Sequence, residues 1–95
     1  MRLIGKVRLE DFKREHPDAG AQVESWEKEV EAAEWKKPQD VGARYPKADF
    51  PGKLQVIFDI CGNKYRLWVK VTYEMGIVLV KGVGTHKEYD KWDIE

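Results

Sequence analysis

The chain of 95 residues carries 17 basic and 17 acidic side chains, so its formal net charge is zero, and 42% of its residues are hydrophobic. This length predicts one domain, spanning residues 1–95, with a single modest core. Zero net charge argues against indiscriminate nucleic-acid binding, and the longest apolar run falls well short of the roughly 18 residues that cross a bilayer.

The cysteine content and the N-terminus point to the cytoplasm. Cys61 is the only cysteine, so no internal disulfide can form, which is typical of a reducing compartment. Residues 1–6 lack the apolar segment of a signal peptide. Two histidines and one cysteine are too few and too scattered for a zinc site, and no phosphate-loop glycine pattern is present. We therefore expect a cytoplasmic protein that needs no membrane, metal or other cofactor.

The first half of the chain predicts two helices. Residues 1–7 are compatible with a short edge strand, and residues 9–16 have helical composition that ends before Pro17, as the residue preceding proline disfavours helix. Residues 19–35 predict an amphipathic helix whose apolar stripe covers the sheet. That stripe consists of Val23, Trp26, Val30 and Ala33. Residues 36–53 contain three prolines and are predicted to form a long connection.

The second half is organised around a hairpin at residues 54–73. Apolar and polar residues alternate with period two on both sides of Gly62-Asn63, which predicts two strands, a tight turn and one solvated face. On the second strand that face carries Arg66, Trp68, Lys70 and Thr72. Residues 77–83 predict a third, central strand, and residues 86–92 a short helical turn. The predicted fold is α+β, with two N-terminal helices packed on an antiparallel sheet of three to four strands.

Two polar clusters lie at strand ends, at residues 63–66 and 85–90. In a meander, the start of the second strand and the end of the third lie at the same end of the sheet, about 5 to 10 Å apart. We therefore expect four side chains to come together there. They are Arg66, His86, Lys87 and Tyr89.

Such a set suits the cleavage of a phosphodiester bond in RNA. An arginine offers paired donors to a phosphate, a histidine can transfer a proton near neutrality, and a tyrosine can stack on a base. RNA supplies its own nucleophile, the 2′-hydroxyl, so neither a metal nor a covalent enzyme intermediate is required. Structural interpretations stay open beside this one, because Arg66 could be a surface residue, His86 a cap, and Tyr89 with Trp92 a clasp for the C-terminus.

The same residues take part in a wider pattern. It comprises Trp35–Pro38, Tyr45-Pro46, Asp49, Val56–Ile60, Gly62–Leu67 and Gly84–Asp90. This combination resembles the HigB family, a branch of the RelE-like mRNA interferases of bacterial toxin–antitoxin pairs. The resemblance implies a RelE-like fold and a ribosome-dependent endoribonuclease that cuts translated mRNA by attack of the 2′-hydroxyl.

The resemblance also implies roles for single residues. Arg66 would stabilise the charged phosphorane, His86 would transfer the proton, and Tyr89 would stack on or orient a base. The candidates for contacts with the RNA backbone are Lys53, Lys64, Lys81 and Lys87. The implied partner is a HigA-like helix-turn-helix antitoxin that covers the basic face, and operator DNA would be reached only through it.

Two other functions remain open. A catalytically inactive RelE-like module could bind an antitoxin or RNA without cleavage, and the neutral charge favours it, as do Gln55 and Asp59 at positions where relatives often carry basic residues. An RNA-binding domain of another lineage would bind naked RNA with a steep salt dependence.

Overall fold

A sheet of four strands forms the frame of the molecule, and its two longest helices lie against one face. The computed structural model describes residues 1–94. In chain order the elements are β1 (Arg2–Ile4), α1 (Lys6–Glu15), a 3₁₀ turn (Pro17–Ala19), α2 (Gly20–Ala32), α3 (Pro38–Arg44), β2 (Gln55–Ile60), β3 (Tyr65–Thr72), β4 (Ile77–Thr85) and α4 (His86–Tyr89). The predicted α+β class, with N-terminal helices packed on the sheet, is confirmed.

The strand order is β1-β4-β3-β2, so β4 lies inside the sheet as predicted. The strands β2, β3 and β4 form an antiparallel meander, whereas β1 pairs with β4 in parallel, with Leu3 opposite Val78. Hairpin turns force the meander to be antiparallel. Most of the chain separates β1 from β4, so no turn dictates the direction of β1, and the sheet is mixed.

The helices bury their apolar stripes on the face of the sheet opposite to Arg66. The ring of Phe12 in α1 meets Tyr65 edge-on at 5.1 Å, and Trp26 in α2 meets Phe58 at 5.4 Å. The helix α2 ends at Ala32, earlier than predicted. The N-terminal ammonium of Met1 donates hydrogen bonds to the carbonyl oxygens of Val30, at 3.1 Å, and Ala33, and so satisfies acceptors at the end of the helix. This helix-covered face holds the hydrophobic core.

The helix α3 lies inside the segment that the sequence predicts as a connection. It begins at Pro38, a favoured first helical position, and Asp40 Oδ2 accepts hydrogen bonds from the backbone N–H of Lys36 at 2.8 Å and of Lys37 at 3.2 Å. Val41, which is fully buried, anchors it to the core. The long connection is thereby reduced to residues 45–54, which run along β2.

A β-bulge divides β4 at Lys81. Trp68 pairs with Gly82, and the next residue, Val69, pairs with Val80, so Lys81 has no pairing partner on β3. The extra residue inverts the alternation beyond this point. Gly82 therefore lies on the face that carries Arg66, Trp68, Lys70 and Thr72, which we call the outer face.

Candidate active site

Arg66 and His86 meet at one end of the outer face. The guanidinium Nη2 of Arg66 lies 3.3 Å from Nε2 of the His86 imidazole. Arg66 is the second residue of β3 and pairs across the sheet with Gly84, and His86 is the first residue of the helix that follows β4. The structure thus brings together the two residues on which the predicted chemistry depends.

Local sequence explains why α4 begins at His86. The hydroxyl of Thr85 accepts a hydrogen bond from the backbone N–H of Glu88 at 3.1 Å, and the carboxylate of Glu88 accepts one from the N–H of Thr85 at 2.9 Å. This reciprocal cap starts a helix of four residues at the strand end. A side chain at Gly84 would place its Cβ 3.0 Å from Glu88 Oε1, so glycine leaves room for the cap.

Tyr89 covers the guanidinium. Its ring centroid lies 4.9 Å from Arg66 Cζ, in a cation–π contact, and 5.8 Å from the His86 ring. His86 and Tyr89 are three residues apart on α4, so they lie on the same side of the helix. The Arg66 side chain is consequently only 14% exposed, whereas that of His86 is 47% exposed.

Two carboxylates hold Arg66 from the other side. Asp59, its cross-strand partner on β2, places Oδ1 2.8 Å from Nη1, and Asp49 places Oδ2 3.2 Å from the same nitrogen. The contact with Asp59 is ionic only, since Asp59 Oδ1 and the buried Nε of Arg66 lack a hydrogen-bond partner within residues 1–94. Because Asp49 and Asp59 neutralise the charge of Arg66, a bound phosphate must compete with these carboxylates for the guanidinium.

Asp49 owes its position to the backbone of the connection. Its N–H donates to Ile57 O at 2.9 Å and its carbonyl accepts from Ile57 N at 2.8 Å, so residues 45–54 add one bridge to the edge of β2. The Asp49 side chain is 60% exposed and that of Asp59 is 23% exposed. Asp49 is therefore the more easily displaced of the two acidic partners.

The contact with Arg66 indicates which tautomer a neutral His86 imidazole adopts. An arginine can only donate hydrogen bonds, so Nε2 accepts from Arg66 and the ring proton of a neutral imidazole sits on Nδ1. That nitrogen lies 3.8 Å from Asp90 Oδ1. The lone pair of Nε2 thus faces the guanidinium, where it can accept a proton from a group bound beside Arg66.

The four candidate lysines lie in different places. Lys87 is exposed on α4 beside His86, and Lys81 places Nζ 5.6 Å from the ring centroid of Trp68. Lys53 precedes β2, at the end of the strand away from Asp59, and is exposed. Lys64 turns to the helix-covered face, where its Nζ lies 2.8 Å from Asp18 Oδ2. Lys87 thus adjoins the site through its position next to His86, whereas Lys53 and Lys64 lie apart from it.

Sequence reasoning missed the acidic partners of Arg66 and the aromatic row that continues from Tyr89. Trp92 meets Tyr89 edge-on at 5.6 Å and stacks with Trp68 at 5.8 Å. Asp59 could have been found by counting the hairpin register back from Gly62-Asn63. No local signal marked Asp49, because the path of its loop depends on packing by the whole fold.

A second polar cluster lies behind the site, on the helix-covered face. The hydroxyl of Tyr65 donates to Asp18, which Lys64 also contacts. The hydrogen bond from Lys64, followed by that from Tyr65, lowers the pKa of the Asp18 carboxyl, and the same hydrogen bond to Asp18 raises the pKa of Lys64. Burial, followed by the hydrogen bond to Asp18, raises the pKa of Tyr65. The cluster is thereby locked in a single charge state near neutrality.

Across residues 1–94, no helix combines the length and the apolar character needed to cross a membrane. In the same part of the chain, no three His, Cys, Asp or Glu side chains are grouped as ligands of a metal ion.

Comparison with known proteins agrees with the family resemblance. Over 92 residues the chain is 28% identical to the mRNA interferase toxin HigB of Escherichia coli K12, which covers 95% of this chain and 88% of the relative. The mRNA interferase HigB of Shigella flexneri gives the same values, 28% identity over 92 residues and coverage of 95% and 88%. That of Escherichia coli O6:H1 is 24% identical over 94 residues, which is 96% of this chain and 90% of the relative.

The family profile described as HigB toxin, RelE-like toxic component of a toxin–antitoxin system, matches residues 19–92. This match extends well over half of the chain and confirms the predicted resemblance. The chain therefore belongs to the HigB toxin family, the RelE-like toxic components of toxin–antitoxin systems.

Proposed function

We propose that this chain is an endoribonuclease that cleaves translated mRNA in the cytoplasm, with Arg66, His86 and Tyr89 as its catalytic residues. The observation that carries the proposal is the 3.3 Å approach of Arg66 Nη2 to His86 Nε2 on an accessible face. A proton acceptor and a phosphate-binding fork are the two groups that 2′-hydroxyl attack requires. The relatives named mRNA interferase HigB support the choice of mRNA as substrate.

The reaction can be written with these groups alone. His86 Nε2 accepts the proton of the 2′-hydroxyl as the 2′-oxygen bonds to the adjacent phosphorus. Arg66 donates to the phosphoryl oxygens, on which negative charge accumulates in the phosphorane. The bond to the 5′-oxygen then breaks, and the proton held by His86 passes to that leaving oxygen. The products are a 2′,3′-cyclic phosphate and a 5′-hydroxyl.

Tyr89 and Lys87 would place the substrate. The Tyr89 ring, whose centroid lies 4.9 Å from Arg66 Cζ, would form one wall of the site and stack on or orient a base. Lys87, exposed beside His86, can contact a neighbouring phosphate. The remaining candidates for backbone contacts are Lys53, Lys64 and Lys81, of which Lys64 would first have to leave Asp18.

The proposed partners follow from the family. A HigA-like helix-turn-helix antitoxin would hold the toxin inactive in the cell, and operator DNA would be bound by the antitoxin rather than by this chain. The neutral net charge is consistent with DNA binding by the antitoxin alone, because a protein without a basic excess binds nucleic acid poorly by itself. The ribosome would then supply the mRNA in a defined position.

The decisive experiment is expression of the chain followed by primer extension on cellular mRNA. We expect growth arrest, and new transcript ends that bear 2′,3′-cyclic phosphates. In a reconstituted translation system, cleavage should require the ribosome and stop when the nucleotide 5′ of the cut is 2′-deoxy. Cleavage of the deoxy substrate would contradict the proposed nucleophile, and cleavage of naked mRNA at the same rate would contradict ribosome dependence.

A catalytically inactive module is the second candidate, and one observation favours it. Around Arg66 the carboxylates of Asp49, Asp59 and Asp90 outnumber the cations, an unusual balance for a site that receives a phosphate. This function would leave transcripts intact while the protein still bound its antitoxin. Primer extension, combined with copurification of the antitoxin, separates the two candidates.

A further inference from the structure

Two tryptophans form a ledge beside the proposed active site. The indole rings of Trp68 and Trp92 stack 5.8 Å apart with planes inclined by 29°. Trp92 also meets the ring of Tyr89 at 5.6 Å. Three aromatic rings therefore continue in a row along the outer face, starting at the tyrosine that covers Arg66. We call Trp68, Trp92 and Lys81 the indole ledge.

The backbone beneath the ledge is arranged to receive both rings. Trp68 pairs across the sheet with Gly82, and a Cβ at Gly82 would come 3.4 Å from an atom of each indole. A larger residue at this position would lift the rings from the sheet. The indole N–H of Trp68 donates to Gln55 Oε1 at 2.6 Å, which holds that ring in one orientation.

Burial distinguishes this pair from the other tryptophans. Trp26 and Trp35 belong to the hydrophobic core and are 3% and 6% exposed, whereas Trp68 and Trp92 are only half-buried. The helices α1 and α2 pack on the opposite face, and on the outer face Trp68 lies beside Ile57, its fully buried cross-strand partner, and stacks with Trp92 from the segment that follows β4. The indole pair lies outside the hydrophobic core of the helix-covered face, and its exposed part is available to a ligand.

The charges near the ledge indicate the kind of ligand. The bulge turns Lys81 over the Trp68 ring, with Nζ 5.6 Å from its centroid, and Lys70 follows Trp68 on the same face and is exposed. Aromatic rings beside ammonium groups are the combination that proteins use for single-stranded nucleic acid, because bases stack on the rings while cations track the phosphates. The surface of α2 carries mostly glutamates and would repel the same ligand.

We propose that the indole ledge is an RNA subsite, on which a base flanking the cleaved phosphate stacks while Lys81 contacts the adjoining backbone. This inference rests on the proposed function, since the ledge continues from Tyr89 and Arg66. It adds a substrate contact that the reaction itself does not require. The expected contribution is to the affinity for RNA rather than to the rate of the chemical step.

The four tryptophans provide their own test. We would record the indole N–H signals of the ¹⁵N-labelled protein by NMR during titration with a short 2′-O-methyl oligoadenylate, which has no 2′-hydroxyl to attack. Signals of Trp68 and Trp92 should shift, while those of Trp26 and Trp35 in the core serve as internal controls and stay in place. Single Trp→Phe variants assign the signals.

The titration has outcomes that refute the ledge. The backbone amide signals are recorded in the same titration, and shifts confined to the amides of His86 and Tyr89 would show that RNA enters the site without touching the ledge, so that the ledge is refuted and the proposed function survives. Amide shifts elsewhere in the protein that leave both indole signals in place at saturation would also refute the ledge, and the cleavage assay tests the function separately. If a purified antitoxin moved the two indole signals and RNA did not, the ledge would be a protein interface instead.

Substitution of Trp68 measures the contribution. Loss of one base–aromatic stack costs about 1 to 3 kcal/mol, so Trp68→Leu should raise the KM for mRNA roughly 5- to 150-fold and leave kcat within about twofold. Trp68→Phe keeps an aromatic surface and should recover most of the affinity. A fall in kcat with unchanged KM would assign Trp68 to the support of α4, and the subsite would be rejected.

Discussion

Tyr65 and Arg66 are neighbours in the chain, yet they stand at the centre of two different clusters on opposite faces of the sheet. Tyr65 joins Asp18 and Lys64 and packs against His16 at 4.9 Å between ring centroids. Arg66 joins aspartates and His86 and packs against Tyr89. Each cluster thus contains an acid, a cation, an aromatic ring and a histidine. The residue types alone do not say which one performs chemistry.

The difference lies in what remains available to a ligand. On the helix-covered face the phenol, carboxylate and ammonium satisfy one another, and their pKa shifts keep each group in its ordinary charge state at neutral pH. On the outer face the imidazole of His86 is half exposed, its Nε2 lone pair faces a guanidinium, and Asp49, one of the acidic partners, is exposed enough for a ligand to displace it. Matched substitutions in the two clusters test this contrast.

The largest contrast is expected between the two histidines. His86→Gln should lower the rate of mRNA cleavage about 10²- to 10⁴-fold, because a general base is lost. His16→Gln removes an imidazole that packs on Phe12 and Tyr65 and should leave cleavage unchanged. Rates from primer extension in a translation system decide the point, and equal losses would remove His86 from the mechanism.

The next contrast is between two cations. Arg66→Lys keeps the charge between Asp49 and Asp59 but removes the fork of donors, so cleavage should fall about 10²- to 10³-fold with little change in stability. Lys64→Gln removes a cation that pairs with Asp18 on the helix-covered face. Its cleavage rate should stay within about twofold of the parent. A larger loss for Lys64→Gln would restore the predicted phosphate contact of this lysine.

A smaller effect should follow from weakening the start of α4. Thr85→Ala removes the hydroxyl that accepts from Glu88 N, and the loss of such a cap costs about 1 kcal/mol, so the equilibrium constant for forming the helix that presents His86 falls roughly fivefold. Cleavage should fall, by at most a similar factor. Thr85→Ser retains the hydroxyl and serves as the control. An unchanged rate for Thr85→Ala would mean that Tyr89 and Trp92 suffice to hold α4.

Asp49→Asn should act in the opposite direction. Exposed ion pairs contribute about 0.2 to 1 kcal/mol, so removal of the Asp49 charge should lower the KM for mRNA by a factor of roughly 1.4 to 5, as the phosphate meets less competition for Arg66. Asp11→Asn breaks the exposed pair with Arg14 on α1 and is a matched control without effect on KM. A raised KM for Asp49→Asn would show that Asp49 orients Arg66 rather than competing with the substrate.

The smallest effect concerns the helix-covered cluster and appears only in acid. Because the folded protein lowers the pKa of Asp18 below its usual 3.8, the carboxylate stabilises the fold above that pH, and the contribution is lost as pH falls through the lowered value. Denaturant unfolding should therefore show Asp18→Asn less stable than the parent near neutral pH, with the gap closing as the pH falls below 3.8. A gap that is constant with pH would mean that hydrogen bonding, and not charge, is responsible.

The features that could be predicted from the sequence are those that depend on residues close together in the chain. Period-two alternation and the Gly62-Asn63 turn were enough to predict the hairpin and the side of the sheet that carries Arg66. The approach of His86 followed from meander topology, since consecutive strands return to the same end. Both predictions depend on residues close together in the chain or joined by short turns.

The features that the sequence did not predict depend largely on distant contacts. The helix α3 is short and contains Gly42, and Val41 anchors it to the core. The direction of β1 is decided by pairing with a strand that lies more than seventy residues away, as in the pair of Arg2 with Ile77. The approach of Asp49 to Arg66 requires the complete course of the loop. Roles in RNA binding for the individual lysines stay predictions.

The single unpaired residue in β4 has a consequence for how this toxin could be altered. Side chains alternate along a strand, and Val80 and Gly82 already face opposite sides of the sheet, so a chain shortened by Lys81 alone would keep the register of the last residues and the direction of α4. Such a deletion would remove the ammonium group beside Trp68 and leave the hydrophobic core and the approach of His86 to Arg66 in place. One codon would thus separate a regular strand without the bulge lysine from the strand that carries it, with little else changed.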